Sequence, residues 1–279
     1  MKPLIDIEHA AFTYPGTDRP ALEEVDLAIM PGELVGIVGQ NGSGKTTLTK
    51  LMNGLLKPTR GRVRIAGEET SHRSVQEIAR TIGYVFQNPN HQLFARTVRA
   101  ELEFGPRNIG VPQGQIDERV ARVVEFFGLA EVIDKHPYRC SFPYRKLIGI
   151  ASVVTMEPSL IILDEPTTGQ DHTTTHIINE LMRDLARTGT TIVCVSHDMP
   201  LLSDIVDRVV VMRDARVIAD ATPQHVFSDV ELMRRTNLSA PQVTQLSLET
   251  SVPRGAPIAL RVRELVDDLA VLTEEARNR

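Results

Sequence analysis

Cysteine is nearly absent from this 279-residue chain: there are two, Cys140 and Cys194, far apart and without metal-ligand spacing. That pair excludes a disulfide framework and points to a reducing compartment. Cys194 falls inside an apolar run, Thr191 to Val195, and reads as plain core. Long hydrophobic runs are missing too, and no stretch approaches the ~20 apolar residues that a bilayer-spanning helix needs. Met1 to Ile7 lack the basic–apolar–small order of a secretory leader, so the expectation is a chain made and kept in the cytosol. Nor is positive charge in excess. With 31 Lys and Arg against 36 Asp and Glu the net charge is −5, which argues against a general nucleic-acid binder. What is present is an ordinary globular composition, 42% hydrophobic and 24% charged, able to bury a full core.

Along the chain, residues 4 to 30 alternate apolar and polar positions (Ile5, Ile7, then Leu22, Val25, Leu27, Ile29), as antiparallel strands with one wet face do. Phe12 to Gly16 between them is a turn carrying Tyr14. Pro31-Gly32 leads into a buried strand at Leu34 to Val38, and a helix is expected from Lys45 to about Leu55. Arg62 to Ala66 is a further short strand, and Ile82 to Phe86 a second buried one ending at Gln87. From about 88 to 157 the pattern turns helical, with Ile116, Val120, Val123, Val124 and Phe127 at helical spacing. Leu160 to Leu163 and Thr191 to Val195 suit central strands of a parallel sheet, joined by a helix over about 174 to 187 as a right-handed crossover. Val209 to Met212 and Arg216 to Ala219 predict a final small hairpin. The tail, 236 to 279, holds Pro241, Pro253 and Pro257 and then Val262, Leu265, Leu269 and Leu272, an apolar seam of about one and a half heptads. It either packs on its own domain or meets a partner helix.

One stretch carries explicit chemistry. Gly39-Gln40-Asn41-Gly42-Ser43-Gly44-Lys45-Thr46 fits G-x-x-x-x-G-K-[ST], follows a strand and opens a helix, the context that makes this pattern a phosphate site. Its glycines let successive N–H groups turn toward one anion, and the helix N-terminus adds unpaired donors. Lys45 would reach the β- and γ-phosphates of a nucleoside triphosphate, Thr46 would hold Mg²⁺, and Thr47 at the helix start is expected to bind the nucleotide with them. Leu160 to Leu163 ends in two carboxylates, Asp164 and Glu165, at the sheet edge where α/β ligands bind. Asp164 is expected on Mg²⁺ and Glu165 on the attacking water; alternatively the pair caps the next helix. His197, just past the strand Thr191 to Val195, can hydrogen-bond a γ-phosphate, and Gln87 can touch Mg²⁺ and the water.

In order and spacing, the phosphate loop, Gln87, Leu160 to Thr167, Gly169-Gln170-Asp171 and Val195-Ser196-His197-Asp198 resemble an ABC-type ATPase over roughly residues 4 to 235. The resemblance implies an α/β P-loop NTPase with an antiparallel β subdomain, a helical subdomain at about 88–157 and a C-terminal helical extension. It further implies that Tyr14 stacks on adenine, Glu165 is the catalytic carboxylate, His197 the switch histidine and Asp171 a dimer contact. Two such domains would sandwich ATP and Mg²⁺ between one subunit's phosphate loop and the other's signature helix. A narrower likeness, carried by Phe12 to Pro15, Val85 to Phe94, Val98, Phe104-Gly105-Pro106 and Ala240 to Leu246, is to the ATPases of energy-coupling-factor transporters. Those act at the cytoplasmic face of the membrane, beneath a transmembrane scaffold and a substrate-binding membrane subunit, and power uptake of vitamins or of cobalt and nickel. On that likeness, the groove around Gln87 to Phe94 receives scaffold helices.

The pattern breaks at one place. Where the family has Leu-Ser-Gly-Gly-Gln, this chain has Cys140-Ser141-Phe142-Pro143-Tyr144. Proline has no N–H, so Pro143 deletes a donor, and Phe142 adds bulk where glycine permits close approach. Donors to a phosphate contribute about 1.5–3 kcal/mol each. Lys45, Thr46, Gln87, Asp164, Glu165 and His197 are nonetheless all present. The expectation is therefore a heterodimer: this chain lends its phosphate loop and Glu165 to one competent site, completed by a second ATPase with an intact signature. A homodimer, a non-transport ABC protein and a structural nucleotide-binding subunit are the rivals.

Overall fold

A computed structural model of the chain describes residues 2–250 and 258–277. The strands are β1 (Ile5–Phe12), β2 (Leu22–Ile29), β3 (Leu34–Gly39), β4 (Arg60–Ile65), β5 (Glu68–Glu69) and β6 (Ile82–Val85). After these come β7 (Leu160–Asp164), β8 (Thr191–Val195), β9 (Arg208–Arg213) and β10 (Arg216–Ala221). The first helices are α1 (Lys45–Met52), α2 (Val75–Ile78), α3 (Val98–Asn108), α4 (Gln113–Phe127) and α5 (Phe142–Val154). They are followed by α6 (His172–Arg187), α7 (Met199–Ile205), α8 (Pro223–Ser228), α9 (Val230–Thr236), α10 (Gln242–Thr250) and α11 (Val262–Arg277).

Two sheets organise these elements. The antiparallel one runs β2-β1-β4-β5, and its strands alternate buried and exposed positions as a one-sided sheet must. The larger runs β10-β9-β3-β8-β7-β6, with β9, β3, β8, β7 and β6 parallel and β10 antiparallel at the edge. Every residue of β3, β7 and β8 is buried, because both faces of this sheet are covered. On β3, Leu34 and Val38 join the core shared with α3 to α7, while Val35 and Ile37 join the core shared with the antiparallel sheet and α1. The same alternation holds on β8, where Ile192 and Cys194 face one way and Val193 and Val195 the other. Burying each such apolar side chain contributes about 1.5–3 kcal/mol, and the polar positions, Thr191 and Asp164, stand only at strand ends.

Local chemistry explains most element ends. Asp171 caps α6 by accepting from Thr174 N at 2.7 Å, and Ser74 and Glu77 form a capping box on α2. Gly128, with φ +63, closes α4. Ile116, Val120, Val123 and Phe127 of α4 are buried and Val124 is half-buried against the same core, the face their spacing predicts. Three expectations shift. Helix α1 stops at Met52 rather than near Leu55, because Asn53 caps it and turns its side-chain oxygen to Leu55 N at 3.0 Å. The strand expected at 62–66 runs from Arg60 to Ile65. The terminal hairpin is no separate unit: β9 pairs in parallel with β3, which makes the hairpin the edge of the main sheet. Of the tail seam, Leu265 is buried at 6% exposure while Val262 is 66% and Leu269 38% exposed; the Leu272 side chain, like Pro253 and Pro257, lies outside the described residues. Among the described residues no helix is long and apolar enough to cross a membrane.

Candidate nucleotide site

The carboxyl ends of the parallel strands share one edge, and a cleft of about 440 Å³ opens there. It is lined by Tyr14, Ala21, Asn41, Gly42, Gly44, Lys45, Thr46, Thr47, Gln87, Asp164, Glu165, Thr168, Val195 and His197. Asn41 and His197, 156 positions apart, thus meet because β3, β8 and β7 are neighbours. Gly39, Gln40 and Ser43 do not line the cleft. Gly39 is the turn out of β3: at φ +153, an added Cβ would lie 2.3 Å from Met212 O. Gly44 has φ +106 and forms the N-cap of α1, so Lys45 to Thr47 occupy the helix's first turn with their N–H groups unpartnered within the helix. Ser43 Oγ is buried without a hydrogen-bond partner among the described residues.

Lys45 folds back over this loop, its Nζ donating to Gly39 O at 2.6 Å and Gln40 O at 3.0 Å. Burial pulls its ammonium below the usual lysine range, opposed by Glu165 and Asp164. The two carboxylates diverge. Asp164, the last residue of β7, accepts from Tyr84 Oη at 2.9 Å, and burial raises its carboxyl against the pull of Tyr84, Lys146, Lys45 and Lys50. Glu165 has φ +49, an uncommon conformation for a non-glycine residue, and its N–H donates to Val195 O at 2.8 Å. Its Oε2 accepts from Thr168 Oγ1 at 2.9 Å and from His197 N at 3.4 Å, while Oε1 faces His197 Nε2 at 3.3 Å. Neither carboxylate caps α6, since Asp171 does so. Tyr14, 37% exposed, stands at the rim with its hydroxyl 3.2 Å from Thr47 Oγ1 and its ring edge-on to Phe12.

Four participants lie beyond the residues that the sequence motifs mark. Thr168 and Ala21 line the cleft, Tyr84 holds Asp164, and Lys146 of α5, 1% exposed, donates to Phe86 O at 3.1 Å and Gln87 O at 2.8 Å. Burial draws the Lys146 amine down to about 8. Only Thr168, three residues after Glu165, was open to local reading, as a hydroxyl within one turn of a carboxylate. The altered signature lies elsewhere: Ser141 is the exposed N-cap of α5, and none of Ser141 to Tyr144 lines the cleft. Phe142 rests beside Gly169 and under the Arg145 guanidinium, whose centre is 5.8 Å from the ring centroid.

Known proteins resemble this chain in sequence and in fold. Residues 22–168 match the ABC transporter family model. The energy-coupling factor transporter ATP-binding protein EcfA of Methanothermobacter thermautotrophicus is 38% identical over 246 residues, 87% of this chain and 78% of that protein. CbiO1 of Clostridium perfringens, described as part of the ABC transporter complex CbiONQ, superposes with a TM-score of 0.74 at 33% identity, covering 88% of this chain and 99% of that one. A dimeric ATP-binding cassette bound to ADP and phosphate aligns at 26% identity and a TM-score of 0.72, covering 78% of this chain and 98% of that one. The chain belongs to the ABC transporter ATPases, and among them to the energy-coupling-factor type ATP-binding subunits.

Proposed function

We propose that this ATPase powers substrate uptake as one half of a heterodimer, and that the cleft holds Mg²⁺·ATP through the residues its sequence singles out. The observation that carries the reading is the convergence of Lys45, Thr46, Gln87, Asp164, Glu165 and His197 on one cleft at the carboxyl edge of the parallel sheet. The donor set suits the metal: a hydroxyl, an amide oxygen and a single carboxylate leave positions for phosphate oxygens and water, as Mg²⁺ prefers. Thr46, Gln87 and Asp164 would hold it, and bound there it would offset charge on the phosphates. The first-turn N–H groups of α1 and Lys45 take the remaining phosphate charge. Tyr14 offers its ring face to the base. Glu165, held by Thr168 and the His197 N–H, directs its free oxygen toward a water, which attacks the γ-phosphorus as the bridging oxygen leaves with the ADP. The water's proton passes to Glu165 Oε1, and His197 Nε2, 3.3 Å from that oxygen, binds the transferred group.

The partner is read from α5. Its N-terminus offers Phe142 and Pro143 where two N–H-bearing glycines would approach a phosphate, so a second ATPase with an intact signature completes the competent site. The dimeric relative with ADP and phosphate supports pairing, and CbiO1 supports a membrane complex. A second cavity of about 400 Å³, lined by Leu55, Val75, Phe86, Phe94 and Phe104 among others, suits helices of a transmembrane scaffold at the cytoplasmic face. Phe94 and Phe104 there are 60% and 46% exposed and pack edge-on to one another, an apolar pair that a buried contact would cover. Glu165→Gln removes the base and keeps the shape, so turnover should fall about 10²–10⁴-fold with ATP affinity retained. Hydrolysis at the original rate takes Glu165 out of the catalytic role. Purification from gently solubilised membranes should recover a second ATPase and a multi-helix protein; recovery of this chain alone from the soluble fraction sinks the importer assignment.

A further inference from the structure

The loop Phe86–Leu93 leaves the main sheet at the end of β6 and is gripped by the helical region at several points. Lys146 supplies the most expensive of these. A fully buried ammonium costs free energy unless it is paired, and a methionine would fill the same space without that cost. Its Nζ goes to two consecutive carbonyls, those of Phe86 and Gln87, at 3.1 and 2.8 Å. Asp164 and Glu165 provide the compensating negative charge. Gln92 adds a second strut, accepting from Phe86 N at 3.2 Å and donating to Gly149 O of α5 at 2.6 Å. Further along, Arg145 donates to Asn90 Oδ1 at 2.8 Å and Tyr138 Oη to Asn90 O at 3.0 Å. The loop therefore has its backbone fastened to α5 on one side while β6 ties it to β7 on the other.

We propose that Lys146 is a positioning residue for Gln87, clamping the loop's backbone to α5 so that Gln87 and the start of α5, one turn before Lys146, move as one body. The inference rests on the reading of Gln87 as a ligand in the nucleotide site. A shift of α5, driven from the partner-facing loop Ser141–Tyr144, is then delivered to the cleft as a displacement of Gln87. Conversely, Mg²⁺·ATP drawing on Gln87 pulls on α5.

The test is a double-mutant cycle in the full chain, within the complex isolated from membranes. Q87A and Lys146→Met should each lower kcat about 10- to 100-fold, the range for groups that support a ligand from behind. KM for ATP should stay within about threefold, and Lys146→Met should add less than about twofold on top of Q87A, since one residue acts through the other. A full additional loss in the Q87A background overturns the proposal and leaves the Gln87 reading standing. A Q87A protein with the original rate overturns the Gln87 reading and the proposal with it. Should Lys146→Met fail to fold, hydrogen exchange of the unmodified complex decides: adding Mg²⁺·ATP should change protection at residues 86–93 and 142–149 together, and a response confined to the loop overturns the clamp.

Discussion

Single side chains in this cleft are held by neighbours that never touch a nucleotide in the proposed arrangement. Tyr84 is the clearest. Its hydroxyl donates to Asp164 Oδ2 at 2.9 Å and lies 3.2 Å from Thr49 Oγ1, which itself donates to Thr46 O at 3.1 Å. The network joins Asp164 to the backbone of Thr46, linking two of the three residues proposed for Mg²⁺ across different elements. Burial beside Asp164 drives the Tyr84 phenol far above its ordinary range, so it stays a donor throughout the working pH range. Tyr84→Phe keeps the ring and removes that donor. The Mg²⁺ concentration for half-maximal hydrolysis should rise about 10-fold, with nucleotide binding in the absence of metal unchanged. An unaltered Mg²⁺ titration would show that Asp164 orients without Tyr84.

Among the elements, α5 carries the altered signature at its start. Pro143 falls at the second helical position, where the helix itself asks for no N–H, so the helix forms normally and loses only an outward-facing donor. Phe142 is packed beside Gly169 rather than left in solvent. Replacing Phe142, Pro143 and Tyr144 by Gly, Gly and Gln should then produce two changes of opposite sign. The helix start loses rigid and packed residues, and each glycine costs up to about 1 kcal/mol, so the melting temperature should drop by a few degrees. ATPase activity of the isolated complex should rise because a second competent site has been assembled. A drop in melting temperature without a gain in rate would refute the damaged-site reading.

Taken whole, the molecule is a two-sheet core with α3 to α5 on one side and a tail that reaches back across it. Arg261 pairs with Asp204 of α7 at 2.9 Å and donates to Asp204 O at 3.0 Å, and Leu265 is buried. Val262, Val266 and Val271 of the same helix stay exposed, so Leu265 is a buried side chain on an otherwise largely exposed stretch. Leu265→Ala should cost about 2–5 kcal/mol and loosen the hold of this helix on the core. Limited proteolysis should cut the tail from the variant quickly while the remaining core still binds ATP. Equal digestion of variant and parent would mean that the ion pair at Arg261 suffices.

Some of this architecture is written in short stretches of chain. The phosphate loop is legible because its glycines, lysine and threonine act within one turn, and β3, β7 and β8 because strands buried on both faces are apolar along their middles, with Asp164 and Thr191 only at the ends. Helix α4 is legible for the same reason: one buried face imposes its period. Other decisions are made only when distant segments meet. Lys146 looks in sequence like any helical lysine, and nothing near it reveals that its amine enters the core to hold the carbonyl of Gln87, 59 residues away. Asp164 and Glu165 are adjacent in sequence, yet Tyr84 takes one and Thr168 with His197 the other. Strand β9 reads as half of a hairpin and becomes a member of the main sheet because β3 offers it a parallel edge. Local pattern reports the burial a residue must find; which partner it finds is set by the order in which strands lie side by side.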